Sequence, residues 1–232
     1  MKIAVMQPYF FPYIGYFQLV HSVDKFIFYD DVAFIKQGWI NRNNILMNNS
    51  SFMFSIPVSS ISSFEYINKT KISYKVDWTE KFMKTIFSCY SKSPYFDDIF
   101  PRIEKLIKSK PDLIADLAKN SVRIVFEYLG AGVSIVDSSS QYFNSDLKAE
   151  ERIMDICKKE KAEEYINPIG GRGLYDKNLF SSSGIELNFI KSSVSKYKQY
   201  SNDFIPWLSM IDVLMFNSPD HIKEMLYNYE LI

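Results

Sequence analysis

The opening of the chain narrows the fold more than any later stretch. Lys2 to Met6, KIAVM, is an apolar run halted by Gln7-Pro8, the pattern of a buried strand that opens into a loop. After Pro12 the apolar residues Ile14, Phe17, Leu19, Val20 and Val23 recur at three-to-four spacing, which predicts a helix over Tyr13 to Val23. Lys25 to Val32, KFIFYDDV, reads as a second strand. Strand, helix and strand in so short a span make a βαβ unit, which commits the chain to a parallel sheet with helices laid over it. Ligands of such sheets sit off the carboxyl ends of the strands, where Gln7, Asp30 and Asp31 fall.

The remainder fits around that unit. Residues 41–49 and 52–58 predict strands of an antiparallel excursion, and Asn68 to Lys75, alternating Thr, Ile and Tyr, a further one. Trp78 to Tyr90, Phe96 to Ile107 and Pro111 to Leu129 predict amphipathic helices, the first two parted at Ser93-Pro94 and the third closed by Gly130. Val133 to Val136 returns to strand and ends in Asp137-Ser138-Ser139-Ser140. A helix over Asp146 to Lys161, a strand over Glu164 to Asn167, a helix over Tyr175 to Ser182 and a strand over Ile185 to Ile190 follow. Phe204 to Phe216 predicts a strongly apolar helix, and His221 to Tyr229 closes the chain. The expected class is α/β: a Rossmann-like, mostly parallel sheet with an antiparallel insertion and helical cover. One domain is expected over 1–232, with the inserted segment at about 41–130.

Charge and cysteine content remove several classes of function. Lys plus Arg and Asp plus Glu both number 27, so no global field draws the chain to nucleic acid or an anionic membrane, and any polyanion must be held by a local patch. Cys89 and Cys157 stand far apart without a CxxC or a Cys/His cluster, which argues against a zinc site and a disulfide framework. Both read as apolar core residues of a cytoplasmic protein. The N-terminus lacks the long apolar region of a signal peptide and no window reaches the length of a membrane span, so membrane insertion is not expected. Aromatic residues make up 16% of the chain, an excess that the core, a ligand groove or an interface has to explain.

The candidate site begins in that excess. Tyr9, Tyr13 and Tyr16 carry hydroxyls among residues that are otherwise core, and Pro8, Pro12 and Gly15 set the turns between them. The run from Lys36 to Asn44, KQGWINRNN, is more polar than a buried strand requires. There Trp39 offers a stacking face, Lys36 and Arg42 offer charge for phosphate, and Asn41 and Asn43 offer amides for sugar or base edges. A β-hairpin accounts for Gly38 and Asn43-Asn44 without any ligand. Asp30 and Asp31 suit a general base or a ribose contact, against the plainer role of a turn cap. Asn167 to Gly173, NPIGGRG, follows a strand and precedes a helix, so Gly170 and Gly171 let backbone N–H groups approach an anion beside Arg172. It matches neither a Walker A nor a GxGxxG motif, and a plain turn fits the spacing equally well. His21 and His221 read as surface or capping residues, and no GxSxG elbow or Ser/His/Asp set is present. No metal and no resident cofactor are expected.

MQPYFFPYIGYFQL, followed by YDD, KQGWINRN, NPIGG with LY after it, and FIPWLSMIDVLMFN, resembles the WbqC-like protein family over nearly the whole chain. The resemblance implies a place among proteins of O-antigen and other surface-polysaccharide synthesis. It implies acyl or aminoacyl transfer to the amine of a dTDP- or UDP-linked amino sugar, from a carrier protein, CoA or charged tRNA. The positions it carries over are Gln7, Pro8, Tyr9, Pro12, Gly15, Tyr16, Gln18, Asp30, Asp31, Lys36, Trp39, Asn41, Arg42, Asn43, Asn167, Gly170, Gly171, Tyr175, Ser209 and Asp212. Asp30 and Asp31 are the catalytic candidates; the others except Pro8, Pro12, Ser209 and Asp212, together with Tyr13 and Arg172, are the substrate-binding candidates, and a homodimer is left open.

A second likeness supplies an alternative. Tyr13-Ile14-Gly15-Tyr16 is similar to the H-x-G-H signature of nucleotidylyltransferases, with tyrosine at both histidine positions, and Lys191-Ser192-Ser193 falls where those proteins place a second phosphate loop. Neutral phenols lack the charge that imidazoles bring to a triphosphate. On this likeness the fold and a nucleotide pocket persist while adenylylation is lost. The alternatives to acyl transfer are an ATP-dependent nucleotidyl-transfer or ligase-type enzyme and a non-catalytic sugar-nucleotide or carrier-binding protein.

Overall fold

The computed structural model describes residues 1–59, 65–201 and 203–232. The chain opens with β1 (Lys2–Met6), α1 (Ile14–His21) and β2 (Lys25–Phe28), then the hairpin strands β3 (Arg42–Met47) and β4 (Ser50–Ser55). Helices α2 (Trp78–Tyr90), α3 (Phe96–Lys108) and α4 (Ile114–Leu129) follow. β5 (Ser134–Val136), α5 (Ala149–Glu160), β6 (Glu164–Pro168), α6 (Lys177–Ser182), β7 (Glu186–Ser192), α7 (Met210–Phe216), α8 (Pro219–Met225) and β8 (Tyr229–Leu231) complete the order.

Six strands form one sheet in the order β5-β2-β1-β6-β7-β8, parallel except for the antiparallel pair β7–β8, and the sheet does not close into a barrel. The chain is thus mixed α/β with a mostly parallel sheet. It runs outward from β1 through β2 to β5, then returns to lay β6 on the other side of β1, so the strand order reverses between β1 and β6. That reversal leaves the loops after these two strands diverging over the carboxyl edge.

Alternation along β1 shows why both faces are covered. Ala4 belongs to the larger core, to which α1, α2, α3, α4, α7 and α8 contribute, whereas Ile3 and Val5 belong to the smaller one, to which α5 and α6 contribute. The hairpin and α2 to α4 lie between β2 and β5, the span in which the sequence predicts an antiparallel and helical excursion.

Several boundaries differ from the expectation for local reasons. β2 ends at Phe28 rather than Val32, because Asp30 and Asp31 turn into buried ion pairs instead of continuing the ladder. The strand expected over Asn68 to Lys75 is a short 3₁₀ turn, Ile67–Lys69, followed by single bridges from Lys71 and Ile72. Helix α7 starts at Met210, not Phe204: Pro206 interrupts the earlier residues and the Ser209 hydroxyl caps the helix by accepting the Ile211 N–H. The closing segment contains α8 and then β8, an edge strand with too few residues to show a period.

Candidate functional site

Past the carboxyl end of β1 three segments distant in sequence are clamped together at Phe11. Its N–H donates to Ser121 Oγ (2.8 Å), and its carbonyl accepts from Asn43 Nδ2 (2.6 Å) and Ser209 Oγ (2.7 Å). Backbone bonds extend the clamp, from Phe10 N–H to the Ile40 carbonyl (3.0 Å), Met210 N–H to Pro12 (2.9 Å) and Ser209 N–H to Asn44 (2.7 Å). Phe11 itself sits at φ +40°, an unfavourable conformation for a bulky side chain that this set of partners holds in place.

The clamp leaves a cavity of about 350 Å³ lined by Tyr9, Pro12, Tyr13, Trp39, Asn43, Asn44 and Trp207. Trp207, in the lining, is also at positive φ (+61°), as is Gln37 (+62°) in the turn that leads to Trp39. Trp207 meets Tyr13 edge to face, with ring centroids 5.7 Å apart, and Arg42 lies over the Trp39 ring at 5.4 Å. Gly15 has no Cβ because the Tyr13 ring and the Ser192 hydroxyl occupy that space, so the start of α1, the end of β7 and the cavity wall fit together only with glycine here.

The lining is aromatic and amidic, and it carries no charge at neutral pH. Burial pushes the Tyr9 phenol up to about 12. Burial likewise raises Tyr13, partly offset by its hydrogen bond with Ser192. Behind them Tyr16 is buried, tilted against Tyr9 at 5.7 Å, and donates to the Gln7 carbonyl (2.9 Å). Such walls can stack a flat ring or the C–H face of a sugar and bond its hydroxyls through phenols and amides. No group of side chains suited to a metal ion occurs among the described residues.

Asp212 secures the outer wall from beneath. Its buried carboxylate accepts from Tyr90 (2.8 Å), Tyr197 (2.6 Å) and Gln199 (2.9 Å). Gln199 also bonds both the N–H and the carbonyl of Ile205, which ties down the segment that carries Trp207. Burial raises the Asp212 carboxyl above its ordinary value, against the opposing pull of the three donors.

With this geometry in view, the sequence model of the WbqC-like protein family matches residues 7–224, nearly the whole chain. The chain belongs to the WbqC-like protein family. It is also similar to the uncharacterized protein Rv1507c of Mycobacterium tuberculosis, 27% identical over 228 residues that cover 96% of this chain and 97% of the relative. No solved structure matches the chain.

This member of the WbqC-like family gathers only some of the residues its sequence marks out. Tyr9, Tyr13, Trp39 and Asn43 line the cavity, Tyr16 and Gly15 back it, Arg42 covers Trp39, and Gln7 contributes a carbonyl to the loop. Lys36 is exposed in the turn before Trp39. Asn41 instead bonds the Ile56 carbonyl across the hairpin (2.7 Å), and Gln18, fully buried, donates to the carbonyls of Met225 and Asn228. Neither lies in the cavity lining.

The NPIGGRG segment is likewise outside that lining. Asn167 accepts from Tyr165 (3.1 Å) and its amide fills the space a Cβ on Gly171 would take, Tyr175 packs edge-on to Tyr165, and Gly170 and Arg172 face solvent.

The two aspartates depart furthest from expectation. Asp30 pairs with Lys119 Nζ (2.6 Å) and accepts from Ser138 (2.6 Å); Asp31 pairs with Arg152 Nη2 (2.5 Å) and accepts from Ser139. Both are buried and fully partnered, and neither faces the cavity. Trp207 and Asn44 are the lining residues that residue type and spacing alone did not single out. The signal available for Trp207 was a large apolar residue directly after Pro206, ahead of a helix cap at Ser209.

Proposed function

We propose that this cavity binds a dTDP- or UDP-linked amino sugar and that the chain transfers an acyl or aminoacyl group to the sugar's amine during surface-polysaccharide synthesis. The observation that carries the reading is the cavity itself: four aromatic rings and two amides around about 350 Å³, the chemistry that recognises a pyranose or a nucleobase. In this reading the pyrophosphate is assigned to Arg42, which lies over the Trp39 ring, and to Lys36 in the exposed turn before it, although neither lines the cavity. In the reaction the free amine attacks the donor's carbonyl carbon. A C–N bond forms, the donor's thioester or ester bond breaks to release a thiol or alcohol that takes its proton from solvent, and the ammonium proton leaves to solvent. A neutral Tyr9 phenol suits the role of hydrogen-bond donor to the oxyanion that develops. Asp30 or Asp31 can serve as base only if an ion pair opens, so proton removal is assigned to water at the cavity mouth.

Thermal unfolding with each sugar nucleotide tests the reading. A ligand that binds the native state alone adds about 2.7 kcal/mol at a hundred times its Kd, and Trp39→Ala or Trp207→Ala should abolish that gain. An equal gain in both variants, or one given by ATP and not by the sugar nucleotides, would overturn it. ATP alone giving the gain is the outcome expected of a ligase.

One observation favours a second reading, a non-catalytic binding protein: among the described residues the only titratable side chains in the lining are phenols, and burial keeps them neutral. Binding without turnover, when CoA thioesters, acylated carrier proteins and charged tRNA are each supplied, is the result that would select it.

A further inference from the structure

Over Ser51 to Ser55 strand β4 has no strand partner on its outer side among the described residues; that side is taken up only beyond the strand, where Ser73 N–H donates to the Pro57 carbonyl (2.9 Å) and Ser59 N–H to the Lys71 carbonyl (2.8 Å). The strand's own sequence, SSFMFS, has no charge, proline or glycine. A groove of about 350 Å³ runs beside it, walled on the far side by α2, and Phe52, Met53 and Val76 stand 40%, 48% and 75% exposed along it.

Hydrogen-bond parity shows what this edge offers. Asn48 and Asn49, both at positive φ, make the two-residue turn that joins β3 to β4. Ile56 N–H donates to the Asn41 carbonyl (2.7 Å), so Asn41–Ile56 is a hydrogen-bonded pair. Such pairs alternate along an antiparallel ladder, which makes Asn43–Phe54 and Ile45–Phe52 hydrogen-bonded as well. The N–H and carbonyl groups of Ser51, Met53 and Ser55 therefore point away from β3, to the free edge.

Those outward groups lie in a palindrome, Ser51-Phe52-Met53-Phe54-Ser55, centred on Met53. An antiparallel strand of the same sequence, related by a two-fold axis through Met53, sets Met53 against itself and Ser51 against Ser55. Each is a hydrogen-bonded pair, giving about six bonds between the copies at two per pair. In the intervening pair, the partner's Phe52 stands opposite Phe54 on the face turned to the groove, where aromatic cross-strand contact is favourable. The half-exposed ring of one copy thus fills the groove of the other. The groove carries one acid and one base, Asp77 and Lys81, so the contact imposes no excess of like charge.

From this self-complementarity we infer that the occupant of the edge is a second copy of this chain: the protein forms a two-fold dimer in which β4 pairs with β4 and the two hairpins become one four-stranded sheet. The interface is separate from the ligand cavity, whose lining shares no residue with the groove.

Sedimentation and light scattering of the full chain across a concentration series test this, with three variants. Met53→Pro removes only an outward N–H, a change an edge strand tolerates. It should convert dimer to monomer while circular dichroism stays unchanged, and Met53→Lys should do the same if the proline variant fails to fold. Met53→Cys should oxidise to a crosslinked dimer, because paired strands bring such Cα atoms to about 5.5 Å, within disulfide reach. Phe52→Cys, out of register with itself, should not crosslink. A wild type that stays monomeric throughout the series would overturn the proposal. So would a dimer that survives both Met53→Pro and Met53→Lys, or crosslinking through Phe52→Cys in place of Met53→Cys.

Discussion

The cavity around Phe11 and the charged cluster past β2 stand at the same edge of one sheet and are built in opposite ways. In the cavity the backbone is strained at Phe11, Gln37 and Trp207, the rings of Trp39 and Trp207 are about half exposed, and the side chains that titrate are held neutral. In the cluster Asp30, Asp31, Lys119 and Arg152 are all buried, and every carboxylate has a cation and a hydroxyl. Open polar surface is retained where something else is to bind, and complete satisfaction belongs to scaffold; positive φ occurs beside both, at Phe143 and Ala149 in the segments that carry Ser139 and Arg152. The cluster also joins layers, since Lys119 comes from α4, Arg152 from α5 and the serines from the turn after β5.

The contrast breaks most readily at Arg152. Asp31→Ala leaves the Arg152 guanidinium buried, with Asn144, the Asp31 backbone carbonyl and Tyr29 as remaining partners, and removing one member of such a pair costs about 3–5 kcal/mol. Asp30→Ala should do the same through Lys119. Urea unfolding measures both, and midpoints equal to wild type would show the cluster to be less structural than its geometry states. Asn replacements, which keep the shape, should lose less stability and leave ligand binding intact.

Asp212 sharpens the comparison because it is a buried acid that meets three neutral donors and, among the described residues, no cation. Asp212→Asn sets an amide against three donors and should cost about 1–3 kcal/mol, the penalty of an unsatisfied buried group. Its pH dependence has a definite sign. Because burial raises the carboxyl in the folded state, the native protein holds this proton at pH values where the unfolded chain has lost it. Its contribution to stability therefore falls as pH rises from near 3.8 through the folded value. The wild-type advantage over the Asn variant should shrink across that window, and an advantage that grew with pH would contradict the assignment.

A smaller effect tests the wall of the cavity. Gly15→Ala forces the Tyr13 ring or the Ser192 hydroxyl aside, at about 1–3 kcal/mol for overpacking. Calorimetry with a bound sugar nucleotide should then show affinity falling further than stability alone requires.

How far these features could be read in advance follows from the range of the interactions. The parallel sheet was legible because KIAVM and KFIFYDDV each carry the pattern of a buried strand within a few residues. The meeting of Tyr9 and Tyr13 with Trp39 and Asn43 was legible because loop and hairpin flank one βαβ unit. The state of Asp30 and Asp31 was not, since their partners lie 89 and 121 residues away and nothing near YDD records them. Trp207 was missed for the same reason: Pro206 and the Ser209 cap are local, but the contact with Tyr13 that makes it a wall is not. Asn43 is legible as polar, and only the fold shows one of its atoms holding the Phe11 carbonyl while the residue borders the cavity.

The finest test of the comparison removes an aromatic wall where removal should scarcely disturb the fold. Trp207 is 51% exposed and held at φ +61°, a conformation that costs a non-glycine residue about 1–3 kcal/mol and glycine almost nothing. Trp207→Gly relieves that strain and gives up one edge-to-face contact with Tyr13, worth about 0.5–1.5 kcal/mol. The two terms oppose, so the unfolding free energy should fall by no more than about 0.5 kcal/mol and rise by no more than about 2.5 kcal/mol. Ligand-induced stabilisation should vanish all the same, because an open-sided cavity no longer stacks its guest. Trp207→Phe separates the terms: it keeps the strain and part of the wall, so stability should stay near wild type while affinity is partly retained. Were Trp207→Gly instead to destabilise as much as Asp31→Ala, the cavity would be scaffold like the cluster, and the division between the two regions would fail.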